Sequence, residues 1–263
     1  MRTMEARELE IEDPIGRIYA KMWAPETAAF EVPIILLHDS LGSVDQWRDF
    51  PGILAGTTSR KVIAYDRLGF GKSDARCEPP SIEFIQEEST TYFPVVKKRL
   101  SLTKYILFGH SVGGAMSINI AARDTDCLAV VTMASQAFVE DRTVRGIEEA
   151  RTMFDQPGQL ERLQRWHGGK AGWVLKAWTD IWLSPEFSTW SLDDCIRDVA
   201  CPVLVIHGDN DEYGSIAFPE FIAGRVSGTS EMLVLKDCGH MPHVEKTGEV
   251  VTAVRKFLDA NSL

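Results

Sequence analysis

The chain has 263 residues, with 28 Lys plus Arg against 38 Asp plus Glu, a formal net charge of −10 and 44% apolar residues. That length accommodates one large domain or two small ones around a sizeable core. So negative a surface repels nucleic acid and anionic membranes, and neither is expected as a partner; the one dense basic run, Lys97-Lys98-Arg99, is short and reads as the solvated end of a helix.

The start, Met1-Arg2-Thr3-Met4-Glu5, leads into acidic residues instead of the apolar core of a secretory signal. The longest apolar runs, such as 34–37 and 203–206, fall far short of the roughly 20 residues that span a bilayer. A soluble, cytoplasmic protein is expected. Residues 8–12 and 15–23 alternate weakly around Pro14-Ile15-Gly16, the pattern of an antiparallel edge hairpin. Short apolar runs at 33–38, 61–66, 104–109, 128–133, 202–207 and 231–236 then recur between helix-like stretches, and each fits a strand buried on both faces. Such alternation predicts an α/β fold with a mostly parallel sheet and helices on both faces. Helices are expected after Ser111 to about residue 123, over 216–226, and from 245 to the carboxyl terminus, where Val250, Val251, Val254, Phe257 and Leu258 keep a 3.6-residue period.

Residues 136–197 break this pattern. They hold no convincing strand but three helical stretches, 142–154, 159–166 and 173–183, and five of the seven tryptophans: Trp166, Trp173, Trp178, Trp182 and Trp190. The segment reads as a helical lid inserted between two parts of one core, 1–135 and 198–263. Trp166, Trp173, Trp178 and Trp182 are the candidate pocket residues, which suits an apolar acyl or aromatic substrate group, although packing of the lid onto the body explains any single one equally well. The five cysteines (Cys77, Cys127, Cys195, Cys201, Cys238) are odd in number and form no C-x-x-C pair, so neither a disulfide framework nor a zinc site is suggested. No metal and no cofactor is expected.

The strand at 104–108 runs directly into Gly109-His110-Ser111-Val112-Gly113-Gly114 and then a helix. A nucleophile lifted above a sheet needs so sharp a strand-to-helix turn that only residues without side chains can flank it. A serine hydroxyl in turn requires a base, and the base an acid that orients it. Among six histidines, His240 in Asp237-Cys-Gly-His-Met-Pro-His243 follows the last strand, from where a loop reaches the edge of the sheet at which Ser111 emerges; His243 is expected to pack near the start of the final helix. In His207-Gly208-Asp209-Asn210-Asp211-Glu212, Asp211 lies far enough along the loop to turn toward that histidine, whereas Asp209 is close enough to cap the turn itself.

At this point the chain resembles the α/β-hydrolase superfamily over nearly its whole length. The matching pieces are Leu37-His38-Asp39-Ser40-Leu41-Gly42, Asp66-Arg67-Leu68-Gly69-Phe70-Gly71-Lys72-Ser73, Gly109 to Gly114, His207 to Asp211, and Gly239-His240-Met241-Pro242-His243-Val244-Glu245. The resemblance implies an eight-stranded α/β-hydrolase sheet, a lid after the sixth strand, and an oxyanion hole formed by the N–H groups of Val112 and Ser40. It also exposes a departure, because Asp39 stands where relatives carry glycine. A carboxylate aimed into the hole would repel the oxyanion, so Asp39 is expected to point away and cap the following turn. The glycines of 66–73 lack phosphate-loop spacing and read as a tight structural turn.

Serine attack suits an acyl carbon, and a small carboxylic ester, thioester or lactone is the expected substrate class. Relatives of this kind also hydrolyse carbon–carbon bonds in ring-cleavage products or act as cofactor-free perhydrolases. A C–C hydrolase usually needs a polar site for the carboxylate of its dienol acid, which makes Arg142, Arg145 and Arg165 in the lid the residues to inspect. A ligand-binding receptor on the same fold is the non-enzymatic alternative. The oligomeric state cannot be read from the sequence.

Overall fold

The computed structural model describes residues 4–263, so residues 1–3 of the amino-terminal reading lie outside it. β1 (Met4–Ile11) and β2 (Ile18–Pro25) form the expected antiparallel hairpin at one edge of the sheet, and β2 pairs antiparallel with β4 (Val62–Tyr65). All remaining pairings, among β3 (Ile34–Leu37), β4, β5 (Tyr105–His110), β6 (Cys127–Met133), β7 (Val203–Gly208) and β8 (Ser230–Leu235), are parallel. The order is β1-β2-β4-β3-β5-β6-β7-β8, an eight-stranded, mostly parallel sheet.

Every residue of β3, β4, β5 and β7 is buried, because each strand has neighbours on both sides and helices above and below. Alternation along β3 divides the core in two. Ile35 and Leu37 join the cluster that also holds Val112, Ala115 and Met116, whereas Ile34 and Leu36 join the cluster on the opposite face. β8 departs from the reading of residues 231–236 as a doubly buried strand. It is the outer strand of the sheet, and while Leu235 is buried, Met232 and Val234 remain exposed.

The helices are α1 (Phe50–Thr58), α2 (Phe84–Glu87), α3 (Phe93–Arg99), α4 (Val112–Ala121), α5 (Asp141–Phe154), α6 (Gln159–His167), α7 (Ala171–Trp182), α8 (Ala217–Arg225), α9 (Pro242–Glu245) and α10 (Thr247–Ala260); a π-helical turn, Glu88–Tyr92, joins α2 to α3. The carboxyl-terminal helix is thus two pieces, broken at Lys246 (φ −135°, ψ 37°). α5, α6 and α7 occupy the chain between β6 and β7. The basic run does end a helix, α3, but Lys97 is bound there, its Nζ lying 2.6 Å from Asp124 and 2.7 Å from Asp126. All five cysteines are free; Cys127, Cys195 and Cys238 are buried and Cys77 is exposed. Among the described residues no helix is long and apolar enough to cross a membrane, and no group of three or more His, Cys, Asp or Glu side chains could hold a metal ion.

Candidate active site

Ser111 stands between β5 and α4 with φ 56° and ψ −127°, a left-handed strain that costs a non-glycine residue about 1–2 kcal/mol. Two backbone bonds hold it there: its own N–H donates to Met133 O (2.9 Å), and Gly114 N–H donates to its carbonyl (2.8 Å). The flanking glycines are required by contact. A Cβ on Gly109 would lie 2.1 Å from Gly113 O, and one on Gly113 would lie 2.2 Å from Leu37 O, both unyielding backbone atoms.

The loops after β7 and β8 bring two further side chains to this point. His240 Nε2 is 3.0 Å from Ser111 Oγ, and His240 Nδ1 is 2.9 Å from both carboxylate oxygens of Asp211. Because Nδ1–H donates to the carboxylate, Nε2 is left bare and can accept the seryl proton. Asp211 is 1% exposed. Burial disfavours its charge, but the charge and hydrogen bond of His240, with His207 and the Tyr213 N–H, outweigh it and lower its pKa. Burial likewise disfavours imidazolium at His240, yet the Asp211 carboxylate beside it prevails and holds the pKa above the ordinary 6.5. Two other carboxylates fix the backbone of the histidine loop: Glu212 accepts from His240 N–H (3.2 Å), and Glu245 accepts from Gly239 N–H (2.9 Å) and Met241 N–H (3.2 Å). Asp209 accepts from Cys238 N–H (3.3 Å), so it ties its turn to the neighbouring loop.

The sequence reading passed over Gln136. Its Oε1 lies 3.3 Å from Ser111 Oγ, a second acceptor for the same hydroxyl. The only signal for it was its place just past the end of β6, the neighbour of the elbow strand.

Val112 is the first residue of α4, so its N–H has no acceptor within the helix and lies next to the nucleophile. Ser40 borders the same cavity. Asp39 does cap the following turn, accepting from Leu41 N–H at 2.9 Å. It does not leave the cavity, however: its side chain lines the wall, where His110 Nδ1 meets it at 3.3 Å while His110 Nε2 donates to His240 O at 2.7 Å. Burial opposes the Asp39 charge, but the hydrogen bond and charge of His110 dominate and hold its pKa well below the ordinary carboxylate value.

The cavity over Ser111 has a volume of about 230 Å³. Thr143 and Ile147 of α5 and Trp178 and Trp182 of α7 line it on one side. Trp166 and Trp173 do not line it. α6 buries Leu163 and His167, which leaves Trp166 beside that stripe and half-buried. Trp173 packs on the Phe70 ring (5.6 Å) and donates its N–H to Glu78 O (3.1 Å). None of the three arginines singled out between β6 and β7 borders the cavity: Arg142 donates to Asp211 O (3.0 Å), and Arg145 and Arg165 are exposed. His243 lies in α9 against the rings of Trp47 (4.9 Å) and Phe50 (5.6 Å). The 66–73 segment is a tight turn, in which the Asp66 carboxylate accepts from Val44 N–H (2.6 Å) and Lys72 N–H (2.7 Å).

The sequence profile described as "Alpha/beta hydrolase family" matches residues 34–254. The proline iminopeptidase of Lactobacillus acidophilus is 23% identical, over 87% of this chain and 90% of its own. The 2-hydroxy-6-oxo-2,4-heptadienoate hydrolase of Pseudomonas putida is 23% identical, over 87% of this chain and 89% of its own. Among solved structures, a membrane phospholipase A superposes with a TM-score of 0.77 at 18% identity, covering 98% of this chain and 87% of that one.

Proposed function

The chain belongs to the alpha/beta hydrolase family, and from that premise we propose that it is a serine hydrolase cleaving a small carboxylic ester, thioester or lactone through an acyl-enzyme on Ser111. The observation that carries this reading is the unbroken line of hydrogen bonds from Ser111 Oγ through His240 to Asp211, with Ser111 and His240 in the lining of one cavity. In the proposed cycle Ser111 attacks the acyl carbon, His240 takes its proton and returns it to the leaving group, and Asp211 holds the imidazolium that forms. The N–H groups of Val112 and Ser40 receive the oxyanion, and water, activated by His240 in turn, releases the acid. The 136–197 insertion serves as the lid, and at about 230 Å³ the space beneath it admits only a small substrate.

The relatives are named for a peptidase and for a hydrolase of a dienoate, so the cavity must choose among acyl chemistries. A free amino terminus calls for an unengaged carboxylate, and the one carboxylate on the wall among the described residues, Asp39, is already bound by His110 and Leu41. A dienol acid in this cavity would place its carboxylate beneath the lid, and among the described residues no Arg or Lys lines that space. A neutral ester meets neither obstacle.

The test is hydrolysis of p-nitrophenyl esters of short acids by the wild type and Ser111→Ala, with a fluorophosphonate probe mapping the labelled residue. Activity lost in Ser111→Ala and label confined to Ser111 support the reading. Equal rates for the two proteins, or a ring-cleavage dienone turned over faster than any ester, would overturn it.

A further inference from the structure

Behind Ser40 lies a second, much smaller chamber of about 20 Å³, room for roughly one water-sized group. Ser40, Trp178 and Trp182 border both spaces, so the chamber adjoins the cavity over Ser111 across the oxyanion loop. Its wall contains Arg67, which is 5% exposed. The guanidinium lies on the Phe70 ring (4.1 Å) and donates from Nη2 to Asp39 O (2.9 Å), but its Nε–H has no hydrogen-bond partner among the described residues. Trp182, 2% exposed, likewise leaves its Nε1–H without one. Both groups are donors only, and a dry donor left unpaired is costly.

Opposite them, the π-helical turn Glu88–Tyr92 brings Glu88 and Tyr92 to the same wall. Turns of this type are rare and frequent at functional sites. Glu88, buried on the same wall, accepts the Tyr65 hydroxyl at 2.5 Å, and its carboxylate is the counter-charge of the Arg67 guanidinium, so the wall carries no unbalanced cation. Arg76, the remaining charged group on the wall, pairs with Glu87 at 4.0 Å. Two buried N–H donors without partners among the described residues therefore belong to side chains that border a space of one or two atoms adjoining the cavity over Ser111.

We infer that this chamber is a subsite for the far end of the acyl group, and that it selects acyl chains ending in a neutral oxygen acceptor, a ketone, which Arg67 Nε and Trp182 Nε1 receive together. The assignment rests on the ester reading above and adds its substrate class. The acyl carbonyl sits at Ser111 and Ser40, the chain runs past the Trp178 and Trp182 indoles, and its terminal oxygen reaches the two donors. Catalysis itself is unchanged.

The experiment compares p-nitrophenyl half-esters of succinic, glutaric and adipic acid with the methyl ketones and the alkyl esters of matching length, in wild type, Trp182→Phe and Arg67→Lys. At the length that fits, the ketone-terminated ester is expected to exceed its alkyl counterpart roughly tenfold in kcat/KM, and that ratio to fall several-fold in each variant. The ratio cancels general damage to either variant, and the carboxylate-terminated half-ester, which meets Glu88 on the same wall, is expected to show no such gain; a carboxylate preferred over the ketone overturns the assignment. Alkyl esters equal to the ketones at every length, or a ratio untouched in both variants, overturn the subsite while leaving ester hydrolysis intact. If no ester is cleaved at all, the ester reading fails by itself. Calorimetric titration of the free keto acids into Ser111→Ala, with and without Trp182→Phe, then decides the subsite without turnover: binding that weakens with the added substitution upholds it, and no binding, or equal binding, overturns it.

Discussion

Replacing Asp211 with Asn keeps the shape of the site and removes one charge. The carboxylate has its two oxygens equidistant, 2.9 Å, from His240 Nδ1, and one of them also accepts the Tyr213 N–H at 2.8 Å. In the variant the Tyr213 N–H holds the amide oxygen on its own side. The amide NH2 then faces Nδ1 at a donor–acceptor distance, which favours the His240 tautomer that carries its proton on Nε2 and cannot accept one from Ser111. The imidazolium formed on attack also loses its counter-charge. At an effective dielectric constant of about 20 that charge is worth about 4 kcal/mol at 4 Å, and the tautomer shift adds about 1 kcal/mol. The sum of about 5 kcal/mol corresponds to a fall in kcat of about 10³–10⁴-fold. The sign of the pH effect follows from the same contact. Activity needs His240 deprotonated, so in the wild type it rises with pH through a midpoint above the ordinary imidazole value of 6.5, because Asp211 raises the pKa. Without Asp211 that midpoint moves to lower pH. Steady-state turnover of a p-nitrophenyl ester from pH 5 to 9, alongside a circular dichroism check of folding, measures both effects. A folded variant within tenfold of wild-type kcat, or one with an unmoved midpoint, would refute the role of the pair.

Gly113→Ala should fail in the fold before it fails in catalysis: its Cβ would meet Leu37 O at 2.2 Å, and β3 and α4 must separate to admit it. A loss of about 3 kcal/mol by urea denaturation is expected, and a variant as stable as wild type would show that the elbow is not the close contact described. His243 is buried among the rings of Trp47, Phe50 and His110, and burial pushes its pKa down to about 3. In the unfolded chain it takes up a proton near pH 6.5, so its share of stability is whole above that value and drains away as the pH falls toward about 3. His243→Phe should therefore flatten the decline of the urea midpoint between pH 6.5 and 4; an unchanged slope would refute the assignment.

The legible parts of this molecule are those in which a residue type answers a local demand. Gly109 and Gly113 around Ser111 mark a backbone approach that nothing larger survives, and the apolar runs of β3, β4, β5 and β7 mark strands covered on both faces. β8 carries a similar run, yet it is half-exposed, because whether a strand has a neighbour on its far side is not written in its own letters. The tryptophans divided in the same way. Trp178 and Trp182, one turn apart on α7, both line the cavity over Ser111, while Trp166 and Trp173 face elsewhere, since the docking of each helix onto the body selects which stripe turns inward.

From its order of residues alone, the chain declared a mostly parallel α/β sheet, a serine raised on a turn between glycines, and a histidine and an aspartate on loops that follow later strands. Packing between segments 25 to more than a hundred positions apart decided the rest: that Gln136 would share the Ser111 hydroxyl, that Asp39 would stay in the cavity wall matched by His110, and that Arg67, Glu88 and Trp182 would border a chamber behind Ser40. Local backbone preference acts over a few neighbours and so is encoded in adjacent letters. The partner of a polar side chain is settled only when distant segments have met, because the free energy of a hydrogen bond depends on which groups are left to make it.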